Sequence, residues 1–474
     1  MQAINVIPAK RCVSIAPSRD PSRRRLGRSR LSLRSAGMTA LLFVLSVLTP
    51  AHAQDSKIFQ FALQNGMQVV VVPDHRAPIV THMLWYRVGS VDDPPGLSGM
   101  AHFFEHMMFR GTAKVPGEQF SQTIARNGGE DNAFTTHDYT CFYEQIAKDR
   151  LPLVMSLDAD RMVNLDLSDP NVATERKVVL EERRMRTDND PQALMREQME
   201  AALHLSHPYG RPVIGWPDEI RHIGRQEARD FYLHHYAPNN AILVVAGDVT
   251  PEEIRADAEA AYGKVPAREL SPRAEFATPQ RLGETRLTVA RPDVKVPVFM
   301  RIYRVPSYSG AKPGGAEALD VLSQAMGGDP TSTFYRELVV KRRLASDAGA
   351  VYDGSARDSA EFLIYALPRP GVHADMLERA VDAILKSYTV AAPNMADLER
   401  AKTQLVASAT YRRDSQFELA SAYGQALVIG LTADDVEDWP QRIRAVSADS
   451  VVQAARSLLK REAVSGWLTP GAGP

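Results

Sequence analysis

A chain of 474 residues exceeds the roughly 250–300 over which a single hydrophobic core keeps growing, so at least two domains are expected. With 44% hydrophobic and 24% charged residues, its composition excludes a disordered or fibrous chain. The formal charge of −1 is unevenly spread: residues 1–53 hold nine Lys/Arg against one acid, Asp20, which leaves a body of net charge −9 and argues against nucleic-acid binding.

The N-terminus reads as a targeting segment. The thirteen residues Met38–Pro50 (MTALLFVLSVLTP) form a short apolar run behind the basic region, followed by the small-x-small pattern Ala51-His52-Ala53. A run of that length falls short of the about 20 residues a membrane-spanning helix needs. A cleaved signal peptide over 1–53, a mature start at Gln54 and a periplasmic location are therefore expected, with no stable membrane insertion afterwards. Ser22–Arg25 (SRRR) is a faint twin-arginine signal. The only cysteines are Cys12 and Cys141, which excludes a disulfide scaffold and a Cys-based zinc site.

Beyond the signal, Asn65-Gly66 turns into a β-branched strand at Met67–Pro73, and Ile79–Val88 alternates apolar and polar residues like a half-buried strand. Ala241–Val249 is a buried strand, followed by a helix over Pro251–Tyr262 with Thr250 as N-cap. The Pro-rich, polar stretch Val265–Arg281 reads as a linker. Strands then resume at Arg286–Val289 and Val298–Val305. Helices are predicted at Ala316–Met326, Ala374–Ser387, Met395–Tyr411 and Asp449–Lys460, the last with Ser447 as a cap. The order is similar on both sides of the linker, giving expected domains at 54–265 and 285–474 around a linker at 266–284. Hairpin-like strands with segregated helices favour an α+β fold over a doubly wound sheet. No dinucleotide fingerprint, P-loop or nucleophile elbow is present.

The chemistry is concentrated in Leu97–Thr112 (LSGMAHFFEHMMFRGT), where His102, Glu105 and His106 form H-x-x-E-H. On a helix both imidazoles lie on one face with Glu105 beside them. Zinc takes neutral imidazole nitrogen and needs a third protein ligand and an open position, and a carboxylate that does not bind the metal can take a proton from water. Phe103, Phe104, Met107, Met108 and Phe109 would pack this helix. Downstream, Thr174–Arg186 (TERKVVLEERRMR) places Glu175 and Glu182 seven residues apart on one helix face, while Glu181 points about 120° away from Glu175.

These residues resemble the inverzincin motif and, with Glu182 following His106 after 75 residues, the superfamily of pitrilysin, insulysin and the mitochondrial processing peptidases, in its short bacterial branch. Asn65-Gly66, Gly89-Ser90, Asn132-Ala133-Phe134-Thr135, His207-Pro208-Tyr209-Gly210, Tyr236-Ala237-Pro238-Asn239-Asn240 and Gly247-Asp248 keep the family's order. The resemblance implies one Zn²⁺ per chain held by His102, His106 and Glu182, with Glu105 as general base and Glu175 as a supporting carboxylate. It implies an edge strand carrying Asn132 and Ala133, to which a peptide substrate adds. It also implies two related halves, each a mostly antiparallel sheet with helices (the LuxS/processing-peptidase-like metallohydrolase fold), of which the second is inactive.

One departure stands out. Catalytic family members carry an Arg and a Tyr seven residues apart in the second half, and here those positions are Val339 and Ser346; Arg342, Arg343 and Tyr352 do not keep the spacing. A homologous partner subunit carrying the Arg/Tyr pair, or a homodimer, is the expected setting. The expected function is a zinc metalloendopeptidase acting on peptides or unfolded polypeptides. The alternatives are a non-catalytic peptide-binding or assembly subunit, for which an intact Glu105 has no use, and a zinc hydrolase of a non-peptide substrate.

Overall fold

The computed structural model describes residues 58–277, 283–461 and 463–471. The expected signal peptide and its cleavage site lie outside the described residues. The first half runs β1 (Phe59–Ala62), β2 (Gln68–Pro73), β3 (Ile79–Tyr86), α1 (Met100–Met107), α2 (Gln119–Arg126), β4 (Glu130–Thr135), β5 (Thr140–Ala147), α3 (Leu151–Asn164), α4 (Asp169–Arg183), α5 (Pro191–His204), α6 (Pro217–Arg221), α7 (Arg225–His235), β6 (Ala241–Gly247) and α8 (Pro251–Ala261). The second half runs β7 (Thr285–Arg291), β8 (Val298–Pro306), α9 (Gly315–Gly327), β9 (Ala345–Asp353), β10 (Ser359–Pro368), α10 (Ala374–Val390), α11 (Met395–Arg412), α12 (Gln416–Val428), α13 (Ala433–Ala445), α14 (Ala448–Leu459) and β11 (Ala463–Pro470). Thr250 and Ser447 cap α8 and α14 as their side chains predict.

The strand orders β1-β2-β6-β3-β5-β4 and β7-β11-β8-β10-β9 match once β1 is set aside. In each sheet one pair is parallel, β2 with β6 and β7 with β11, and every other pairing is antiparallel. The likeness extends to the helix after the second shared antiparallel strand: α1 and α9 both start behind a glycine in the left-handed region, Gly99 (φ 88°) and Gly314 (φ 80°). The protein is thus α+β with two related halves. Of these two helices α1 carries a histidine pair and α9, with the sequence GAEALDVLSQAMG, carries none.

The alternation in β3 predicts one solvent-facing side, and the structure corrects this. Every residue of β3 from Val80 to Tyr86 is buried, because α12, from the second half, lies across β3 and β6. Leu419, Ala420 and Tyr423 of α12 join Met83, Trp85 and Val244 in a core of their own. Gly424 permits the approach, since a Cβ there would fall 2.2 Å from the Trp85 ring. The reciprocal contact puts α5, from the first half, against β7, β8 and β11, where a Cβ on Gly466 would fall 2.4 Å from Met199 Sδ. Each half therefore covers one face of the other's sheet.

Candidate metal centre

The first turn of α1 is fixed before any metal chemistry begins. Asp93 accepts from Gly99 N (2.7 Å) and Ala101 N (2.8 Å), supplying acceptors and negative charge to the helix N-terminus. Gly99 (φ 88°) and Gly215 (φ 91°) pack backbone to backbone, and a Cβ on Gly99 would lie 2.5 Å from Ile214 O. Phe103, Phe104 and Met107 anchor α1 in the core, with Phe104 among Phe231, Tyr232 and Tyr236.

Opposite lies α4, whose C-terminal end is pinned by Arg183: it donates to both oxygens of Glu197 (2.7 and 2.9 Å) and to Gly215 O (2.8 Å). The helix then widens into a π-helical turn over Arg184–Asp188, an irregularity that often accompanies functional sites. Glu182 sits two residues before it.

The histidines of α1 and the glutamates of α4 meet. His102, His106 and Glu182 each offer a ligand atom within 4.8 Å of the others. Glu182 Oε2 is 3.0 Å from His106 Nε2 and 3.7 Å from His102 Nε2, and it makes no hydrogen bond despite being buried. Glu175, also buried, holds His106 Nδ1 at 2.8 Å. Glu181 points away, exposed and paired with Arg184.

Electrostatics reinforce the arrangement. Burial, then the neighbouring His106, pushes His102 down to about 3, so it is a neutral imidazole. Burial opposes charge on His106 as well, but Glu175 and Glu182 outweigh it and push its pKa up to about 10. The two carboxylates thus favour positive charge on His106. Burial also opposes charge on Glu182, yet His106, His102 and Arg186 hold it down at about 2. Burial raises Glu105, against the pull of His106 and of a hydrogen bond from Thr135.

Asn132 and Ala133 lie in β4, the outermost strand of its sheet, paired with Tyr143 and Phe142 of β5. In the second half Val339 is buried, and Ser346 donates to Leu367 O (3.2 Å). Tyr352 is buried and donates to Pro306 O (2.8 Å), so its hydroxyl is already committed. Arg342 and Arg343 are exposed, Arg343 at a left-handed φ of 55°.

Three contributors were not evident from the sequence. Arg110 donates to the second oxygen of Glu175. Arg186 pairs with Glu182 Oε1 (2.9 Å). Thr135 donates to Glu105 Oε2 (2.6 Å). The two arginines each fall four residues after His106 and Glu182, a spacing that could have signalled them; Thr135 needs the tertiary fold.

His82, Glu144 and Asp158 form a second cluster with ligand-like spacing. Arg161 already fills it, with Nη2 3.0 Å from Glu144 Oε1 and 2.5 Å from Asp158 Oδ1. A guanidinium in that position makes it a buried ion-pair network in the core rather than a cation site. A cavity of about 710 Å³ near the start of α1 is lined by Asp92, Arg211 and Arg273 among others. The Arg273 guanidinium is bonded to Asp92 and that of Arg211 to backbone carbonyls.

The chain thus has two related α+β halves, of which the first brings two imidazoles and a carboxylate together. The chain belongs to the M16 (insulinase) peptidase family: residues 68–216 match "Insulinase (Peptidase family M16)" and residues 222–405 match "Peptidase M16 inactive domain". It is 28% identical over 435 residues to the zinc protease PqqE of Helicobacter pylori, covering 90% of this chain and 96% of that one. It is 30% identical over 413 residues to an uncharacterized zinc protease of Streptomyces coelicolor, covering 84% and 86%. Among solved structures, a protease from Helicobacter pylori superposes with a TM-score of 0.81 at 27% identity, covering 88% of this chain and all of that one. The periplasmic protease PqqL of Escherichia coli shares the fold (TM-score 0.73, 20% identity), and 89% of this chain aligns with 49% of that one. No helix among the described residues is long and apolar enough to cross a membrane.

Proposed function

We propose that this protein is a zinc-dependent metalloendopeptidase that hydrolyses peptides or unfolded polypeptides. The observation that carries the reading is the convergence of His102 Nε2, His106 Nε2 and Glu182 Oε2. Two imidazoles and one carboxylate are the ligand set of many catalytic zinc sites, which keep one position open. The fit is supported by Glu182 Oε2, a buried acceptor without a hydrogen bond. The ion, when bound, supplies Lewis acidity and lowers the pKa of water.

The protein's own side chains do the rest. Glu175 accepts from His106 Nδ1, which leaves Nε2 as the ligating nitrogen. Glu105, held through Oε2, takes the proton of the attacking water on its other oxygen and returns it to the leaving amine. A substrate strand adds to β4 beside Asn132 and Ala133, so main-chain hydrogen bonds give recognition with little demand on side chains. The chain acts in the periplasm after cleavage before Gln54, which N-terminal sequencing of the exported protein tests.

The decisive experiment measures zinc per chain and chelator-sensitive cleavage of a fluorogenic peptide. One zinc and cleavage restored by readdition of zinc is the expected result; a metal-free chain that still cleaves overturns the reading. A second reading, a peptide-binding subunit of a larger assembly, is favoured by Val339 and Ser346, neither of which can clamp a substrate.

A further inference from the structure

We propose that Thr135 is a positioning residue that ties the substrate-binding edge strand to the general base; the proposal rests on the zinc-peptidase reading above. Thr135 is the last residue of β4 and is nearly fully buried. Its hydroxyl lies 2.6 Å from Glu105 Oε2 and 3.3 Å from Thr140 Oγ1, its cross-strand neighbour. Each hydroxyl has one proton to give. Thr140 gives its own to Val88 O at 3.0 Å, and a carboxylate at 2.6 Å is the stronger of the two acceptors open to Thr135. The direction is therefore fixed: Thr135 donates to Glu105.

That bond divides labour between the two carboxylate oxygens. Oε2 is held, while Oε1 makes no hydrogen bond among the described residues. The held oxygen sets the carboxylate's rotation, and the other is left to take a proton. Without Thr135 the side chain has no hydrogen bond to fix its terminal torsion, which is intrinsically broad.

Position adds the second half of the argument. Thr135 and Ala133 lie on the same face of β4 by the two-residue period of a strand, and that face packs on α1. The free edge of the same strand faces away from β5. A peptide adding to β4 is thereby registered against Glu105 through one rigid strand, so the group that recognises substrate also aligns the base. Small displacements of a catalytic group cost rate out of proportion to their size.

The test uses the full chain loaded with zinc and a fluorogenic peptide. Thr135→Val keeps the shape and removes the donor. It is expected to lower kcat about ten- to a hundredfold, with KM within twofold and one zinc per chain retained, and Thr135→Ser is expected to recover most of kcat. In crystals of the zinc-free Thr135→Val protein, Glu105 should spread over more than one rotamer. Should the Val variant misfold, Thr135→Ala against Thr135→Ser carries the same comparison. An unchanged kcat, a change confined to KM, a Ser variant as slow as the Val variant, or a single unchanged Glu105 rotamer overturns the proposal. Glu105→Gln measured alongside separates the failures. If it stays active, the base assignment itself is wrong; if it is dead while Thr135→Val is normal, only the role of Thr135 falls.

Discussion

Glu105 and His106 are adjacent in the chain, yet the proposed mechanism asks opposite behaviour of them, one to take up and return a proton and the other to hold an ion. The difference lies in their partners. His106 has Glu175 at 2.8 Å on one nitrogen and Glu182 at 3.0 Å on the other, whereas Glu105 has a hydroxyl on a single oxygen. Glu105→Gln is accordingly expected to lower kcat by about 10²–10⁴, the usual worth of a general base, with one zinc still bound. His106→Ala is expected to lose the metal, because removing one of three ligands leaves an incomplete set. Metal analysis and peptide turnover on the same preparations check both, and near-normal turnover by the Gln variant would sink the base assignment. These residues were legible in the sequence because helical geometry converts spacing into direction: four residues for the histidines, seven for Glu175 and Glu182, and the exposed course of Glu181. Thr135 was not legible as a partner of Glu105, since thirty residues and a strand pairing separate them.

At the level of elements, local signals were read well and distant ones were not. Caps at Thr250 and Ser447, the Asn65-Gly66 turn (Gly66 φ 86°) and the β-branched strands all act within a few residues, and each formed where the sequence put it. The alternation in β3 misled because the Thr81, Met83 and Trp85 face is covered by a helix more than 300 residues away. Periodicity within a segment reports its own two faces, not what arrives to cover them. The exchange of α5 and α12 between halves has a measurable consequence at Gly424. Its Cα faces the Trp85 ring with no room for a methyl group, and both sides of the contact are buried. Gly424→Ala is expected to destabilise the protein by about 1–3 kcal/mol through overpacking. Gly283→Ala, at a position with no atom of the described residues within 4 Å of the added Cβ, is the neutral control. Urea midpoints of the two variants make the comparison, and equal midpoints would mean that α12 does not press on β3 as described.

For the whole molecule, the duplicated halves carry unequal chemistry, and that inequality argues for a partner. The first half brings together His102, His106 and Glu182, the proposed ligand set, with Glu105 as the proposed base. In the second half α9 holds no histidine, Val339 is packed in the core, and Ser346 and Tyr352 spend their hydroxyls on backbone carbonyls. Exposed Arg342 and Arg343 offer charge but not the seven-residue spacing of an Arg/Tyr pair. On the proposed reading, in which this chain activates water but has Val339 and Ser346 at the clamp positions, a second chain with the reciprocal pattern, an intact Arg/Tyr pair and a degraded H-x-x-E-H, would complete the site. PqqL, which shares the fold, aligns with this chain over 49% of its own length. Binding groups remote from the scissile bond can raise kcat as well as affinity, because they hold the substrate in a reactive pose. The expectation is that the isolated chain binds zinc but cleaves peptide slowly, and that adding the product of a neighbouring homologous gene raises kcat/KM at least tenfold while a heterodimer appears in sedimentation. A self-paired chain is the competing outcome, recognised by a dimer of the pure protein at assay concentration. Full activity from the isolated chain, unchanged by any partner, would overturn the heterodimer, and the clamp would then have to come from residues other than Val339 and Ser346.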